Sequence, residues 1–145
     1  MTADTFDAAA WEEQLIADMR ANGGRPSGGP MAGHPILLMF STGARTGARR
    51  RSILTYSPDG DDLIVAGTAA GSKVHPAWIA NLTKDPDVEL EVDNEAYRAT
   101  ATVYRDGPER DRLWIQHVEQ LPWFGDYPSQ VGDRVIPVVR LTRQG

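Results

Sequence analysis

ILLMFSTGARTGARRRSILTYS, residues Ile36 to Ser57, is the stretch that decides the fold. Its first part, ILLMFST (36–42), is an apolar run of strand length, which predicts a strand buried on both faces. RRSILTYS (50–57) predicts the partner strand. A connection this short requires the two to run antiparallel. The loop between them collects Arg45, Arg49, Arg50 and Arg51 beside Gly43 and Gly47. Yet the whole chain holds 15 Lys plus Arg against 20 Asp plus Glu, a net charge of −5. One reading is an anion cradle. Glycines let backbone amides approach a ligand, Thr42 and Thr46 add hydroxyls, and guanidinium forks match phosphate or carboxylate oxygens. The other reading is a hairpin turn whose arginines point into water. The spacing is that of neither a Walker loop nor a dinucleotide fingerprint.

Working outward, TFDAAAWEEQLIADMRAN (5–22) places Trp11, Leu15, Ile16 and Met19 on one helical stripe, and Gly23 and Gly24 stop it. Residues 23–35 hold five glycines and three prolines and predict an irregular loop. Beyond the hairpin, PDGDD turns the chain and LIVAGT (63–68) makes a third strand. HPAWIANLTKDP (75–86) reads as a short helix, with Pro76 in its first turn and Pro86 at its end. VELEV (88–92) and AYRATATVYR (96–105) alternate as strands of a hairpin. DGPERDRLWIQHVEQL (106–121) has helix-start signals: Asp106 as a cap, Glu109 three residues on, and a proline in the first turn. PWFGDYPSQVG (122–132) is an aromatic loop. RVIPVVRLT (134–142) is the last strand, and Pro137 suggests an edge or bulge position. Six strands with short connections and outer helices predict a small α+β antiparallel barrel, one domain over 1–145.

Composition narrows the function classes. Apolar residues make up 41% and charged residues 24%, as in globular proteins generally. No apolar run reaches bilayer-spanning length. The start, MTADTFDAAAWEEQ, lacks the basic and apolar regions of a signal peptide. There are no cysteines, which removes disulfides and thiolate chemistry and fits a cytoplasmic location. The acidic balance argues against nucleic-acid binding. His34, His75 and His117 share no ligand spacing, so no metal is expected. Hydrolysis and acyl transfer lack a nucleophile with a nearby base. In HPAWIANL, Trp78 can stack on a planar ring or serve as core, and His75 reads as a cap or surface residue. The small residues Ala66 to Ser72 admit a flat group or make a tight turn. Trp123, Phe124 and Tyr127 either cover an apolar pocket or plug the barrel end.

Taken in order, STGARTGARR, LIVAGTAAG, HPAWIANLTKDP and DRVIPVVRL resemble the deazaflavin-dependent nitroreductase family of actinobacteria, split-barrel reductases that use coenzyme F420. The resemblance spans about residues 33–142 and implies an FMN-binding split-barrel-like fold. It implies a cofactor with a flat deazaflavin ring and a tail of one phosphodiester and several glutamate carboxylates. By position, Ala44, Arg45, Thr46 and Arg50 would hold tail and phosphate. Arg51, Ser52, Ile53, Leu54 and Thr55 would run beside the ribityl chain and ring. Ala66, Gly67, Thr68 and Ala69 would meet the phosphate and ring edge, and Ala77, Trp78 and Asn81 would complete the site. Leu121, Phe124 and Tyr127 would line the substrate pocket. The chain departs from the family where Leu121 and Phe124 replace tyrosines, which sets nitro reduction aside. It departs again at Ala69, where the family has a lysine whose charge Lys73 could replace.

The resemblance implies hydride transfer from reduced F420 to an electron-poor carbon of an enone, an unsaturated lactone of coumarin type or a quinone. Tyr127 or water would give the proton. An FMN enzyme on the same kind of barrel is the first alternative, since one phosphate needs fewer arginines. A non-enzymatic carrier of an apolar ligand or lipid is the second. Five acidic residues among 4–18 oppose anionic lipid, so contact with a membrane would be peripheral at most. The chain is expected to act on a small molecule as a monomer or weak homodimer.

Overall fold

A computed structural model describes residues 7–29 and 31–144. Helix α1 runs Ala8–Ala21, capped by the Asp7 side chain, which accepts from the Ala10 amide at 3.1 Å. Residues 5 and 6 of the expected helix lie outside the described residues. Strands β1 (Ile36–Thr42) and β2 (Arg49–Thr55) form the hairpin, antiparallel from Ile36 opposite Thr55 to Thr42 opposite Arg49. Next come β3 (Ser57–Asp59), β4 (Asp62–Ala66), helix α2 (Ala77–Lys84), β5 (Asp87–Val92) and β6 (Glu95–Tyr104). Helix α3 (Pro108–Gln120), a 3-10 run (Pro122–Ser129) and β7 (Val138–Arg143) complete the chain.

All strands join one antiparallel sheet in the order β2-β1-β5-β6-β7-β4-β3. The two ends of that order, β2 and β3, are separated in the chain by Tyr56 alone. Two Cα–Cα steps span at most about 7 Å, so the sheet must curl until its edges meet. That is the split barrel. It has seven strands where six were expected, because RRSILTYS breaks at Tyr56, whose amide turns away to the Pro35 carbonyl at 2.9 Å.

The pleat explains the unbroken apolar run of β1. Leu37 and Met39 face the barrel interior with Val65, Leu90, Ala99, Val139 and Leu141. Ile36 and Leu38 face outward under Leu15, Ile16 and Met19 of α1. Each such fully buried aliphatic contributes roughly 1.5–3 kcal/mol. On the opposite side Leu113 of α3 packs on Ile64 and Val138. Two local expectations are corrected. Pro137 is neither on an edge nor in a bulge: it precedes β7, which lies between β6 and β4. Asp106 does not cap α3. Gly107, at φ +94°, holds that place without a side-chain cap, and Glu109 pairs instead with Arg112 and Arg140.

Candidate active site

The β1–β2 loop is closed from within. The Gly43 amide donates to the Ala48 carbonyl at 2.7 Å, and the Gly47 amide to the Gly43 carbonyl at 2.9 Å. Gly47 sits at φ +72°, and a Cβ on Gly43 would lie 3.1 Å from the Ala48 carbonyl oxygen. Both glycines therefore serve the turn. The Ala44 amide is held by Asn81 Oδ1 at 2.9 Å and the Ala48 amide by Thr46 Oγ1 at 3.2 Å. Only the Arg45 and Thr46 amides remain open among the described residues of this loop. The expectation that the glycine amides themselves receive an anion is thus corrected. Thr42 also lies apart, beside Arg49 and Glu89.

The four arginines separate into two pairs. Arg49 is tied to Glu89 at 3.0 Å and stacks over Phe40 at 4.1 Å. Arg51 reaches Glu13 of α1 at 2.8 Å. Arg45 and Arg50 are exposed and have no ion pair or hydrogen bond among the described residues. Both line a hollow of about 380 Å³ together with Ala44, Thr46, Arg51, Ser52, Ala77, Trp78 and Asn81. Lys84 donates to the Ala44 carbonyl at 2.8 Å.

A second hollow of about 420 Å³ shares Trp78 with the first. Ile53, Leu54 and Thr55 line it from β2, and Ala66, Thr68, Ala69 and Ala70 from the end of β4 and the loop after it. Met31, His34, Trp123, Phe124 and Tyr127 close it. No Lys, Arg, Asp or Glu is among these residues. Trp78 resolves both of its readings, since it packs on the barrel core and lines both hollows. The aromatic run lines this hollow, as the pocket reading expected, and Phe124 is buried edge-on against His117 at 4.4 Å and Tyr127 at 5.5 Å.

Nearly every residue singled out in the sequence thus meets in one cleft, cationic at one end and neutral and aromatic at the other. Gly67 and Leu121 do not line it. A Cβ on Gly67 would come within 2.9 Å of Pro137 Cγ, so this glycine permits close packing beneath the cleft. Leu121 is buried beside Phe124 and lines a different cavity. Lys73 lines neither hollow.

Two features were missed. Arg134 clamps the loop after β4, donating to the carbonyls of Gly67 (2.8 Å), Thr68 (2.9 Å) and Ser72 (2.8 Å) and meeting His75 Nδ1 at 2.9 Å. That contact, not a cap, is what His75 makes; burial and the Arg134 charge push the imidazole down from its usual range. Ala69 and Ala70 stand at φ +49° and +53°, a backbone region that costs non-glycine residues energy and persists only where surroundings enforce it. An arginine more than 60 residues along the chain from the loop it clamps leaves no spacing signal, and alanine gives no hint of positive φ.

Comparisons with known proteins agree with this geometry. An F420H(2)-dependent quinone reductase of Mycobacterium tuberculosis is 38% identical over 112 residues, 76% of this chain and 74% of that protein. The solved structure of an F420-H2 dependent reductase, FDR-A, matches with TM-score 0.66 at 29% identity, covering 74% of this chain and 93% of that one. A chain described as a domain-swapped dimer matches with TM-score 0.68 at 25% identity, covering 93% and 99%. Solved structures between 10% and 17% identical share the fold alone. The profile of the F420H(2)-dependent quinone reductases spans residues 11–143, and the chain belongs to that family, an F420H2-dependent oxidoreductase.

Proposed function

We propose that the cleft holds reduced coenzyme F420 and passes its reducing equivalents to an uncharged, electron-poor acceptor: a quinone, an enone or an unsaturated lactone of coumarin type. The observation that carries this is the split among the arginines. Two are neutralised by acids, and the two without partners among the described residues, Arg45 and Arg50, line the cleft beside the paired Arg51. Their forks, with the Arg45 and Thr46 amides, suit the phosphodiester and carboxylates of the tail. Ala44, Asn81, Ala77 and Trp78 would complete that end, with Arg51 and Ser52 at its edge. Ile53, Leu54 and Thr55 on one side and Ala66, Thr68 and Ala69 on the other would hold the flat ring, with Gly67 supporting them from below. The bound deazaflavin supplies a hydride equivalent, which is the hard part of the chemistry.

The chain's own residues would do the rest. Phe124 and Trp123 would exclude water from the aromatic end, which favours an uncharged ring in a fixed pose. Tyr127 carries the one phenol among the residues lining that end, and its hydroxyl, or water, would give the proton to the reduced acceptor. Leu121 would act from behind, by seating Phe124. The family match to quinone reductases supports the acceptor class, and the uncharged lining supports it independently. No helix among the described residues is long and apolar enough to cross a membrane. We read the protein as acting on a small molecule in the cytoplasm, as a monomer or weak homodimer and without nucleic acid.

The test is a titration of the purified protein with reduced F420 and a panel of quinones, enones, coumarins and nitroaromatics, following cofactor oxidation. Oxidation with the first three classes is expected. Oxidation of reduced FMN with indifference to reduced F420 would replace the cofactor assignment. Binding of apolar ligands with no redox turnover would favour the carrier reading.

A further inference from the structure

A cavity of about 740 Å³ lies outside the cleft. Tyr56, Leu63, Val92, Tyr97 and Leu121 give it an apolar and aromatic lining. Its two arginines are matched by acids: Arg143 grips Glu95 through two bonds of 2.9 and 3.2 Å, and Arg25 stands 3.8 Å from Asp93. It therefore presents no unpaired charge.

The cavity shares two lining residues with the aromatic end of the cleft, His34 and Trp123. Their rings stack at 4.9 Å with planes 17° apart. These two side chains thus border both spaces and are in ring contact with each other. His34 Nδ1 is buried without a partner, and no hydrogen bond anchors the Trp123 ring among the described residues. His34 follows a turn that ends at Gly33, which stands at φ +71° with open space around it. A stack of this kind is a weak latch, and a glycine turn next to it can absorb a shift of the His34 ring.

We propose that His34 and Trp123 form a movable partition between two rooms of one acceptor site. The acceptor's uncharged ring occupies the aromatic end of the cleft, and an apolar arm on the same molecule passes between the two rings into the larger cavity. A single ring leaves that cavity unused, whereas cavities of its size suit drug-sized ligands. The partition makes His34 and Trp123 specificity residues for long acceptors. This rests on the reading of the aromatic end as the acceptor site, so its test includes a measurement free of turnover.

Two probes separate the rooms: tetramethyl-p-benzoquinone, and its analogue with a decyl arm in place of one methyl. Two variants, Gln120→Trp and Glu95→Trp, fill the larger cavity from α3 and from β6, at exposed positions that leave the cleft untouched. Equilibrium dialysis against the cofactor-free protein is expected to show the decyl quinone bound at least tenfold more tightly than the tetramethyl one. Either folded variant should reduce that preference at least tenfold, and His34→Ala should speed entry of the decyl quinone. No preference in the wild type, or a preference unchanged in both variants, overturns the partition. If reduced F420 is oxidised by neither quinone while the dialysis preference holds, the acceptor chemistry fails and the two-room site stands.

Discussion

Replacing Arg50 by alanine removes a guanidinium that has no partner within the described protein and lines the cationic end of the cleft. The fold loses no ion pair, and the side chain is exposed, so the melting temperature should not move. The tail of F420 loses a charge-assisted contact, which is worth about 1.5–3 kcal/mol, or roughly a tenfold to 150-fold rise in Kd. Arg45→Ala should behave alike. Arg49→Ala is the internal control. It carries the same charge one residue away on β2, but Glu89 neutralises it and it lines a different hollow, so its effect should stay within about twofold. Fluorescence titration of oxidised F420 reads all three, and added salt should shrink the Arg45 and Arg50 effects, because exposed charges are screened. Equal weakening by Arg49→Ala and Arg50→Ala would mean that net charge alone matters. Unchanged Kd in both Arg45→Ala and Arg50→Ala would leave the cleft without its anion site.

The remaining predictions concern the scaffold. Arg134→Ala strands the carbonyls of Gly67, Thr68 and Ser72; it should cost about 2–4 kcal/mol in urea unfolding and expose residues 67–75 to proteolysis, with Arg134→Lys recovering little because an ammonium cannot fork. Gly67→Ala pushes a Cβ to 2.9 Å from Pro137 Cγ and 3.1 Å from Ile79 Cδ1, an overpacking cost of about 1–3 kcal/mol; a loss under about 0.5 kcal/mol would contradict the tight seat. His117 is fully buried 2.6 Å from Ser57 Oγ, and burial pushes its imidazole down to about 4 from 6.5. Below pH 6.5 the unfolded chain takes up that proton and the folded chain does not, so stability should fall from pH 6.5 to about 4, by an amount on the order of 3 kcal/mol. His117→Asn should flatten that slope in denaturation curves measured across the window.

Much of this was legible because periodicity and punctuation agree. ILLMFST reads as doubly buried since its alternate residues meet two different layers, the barrel interior and α1. The cleft was legible as well, because its residues come in short contiguous runs at loop and strand ends. What the sequence hides is pairing across distance. Nothing near Arg49 and Arg51 announces Glu89 and Glu13, so four arginines looked equivalent where two are neutralised. Pro137 suggested an edge because it cannot donate, yet its carbonyl accepts from Gly67 just ahead of a central strand. The capping pattern at Asp106 failed because Gly107 enters the helix at positive φ, which turns the aspartate away from the first amides.

The most direct measurement is a crystal structure of the protein with oxidised F420. Tail oxygens within hydrogen-bonding reach of Arg45 and Arg50, and the ring between Ile53–Thr55 and Ala66–Ala69, are the predicted result. A ring lodged in the 740 Å³ cavity, or a tail that leaves both guanidinium groups in solvent, would contradict the account.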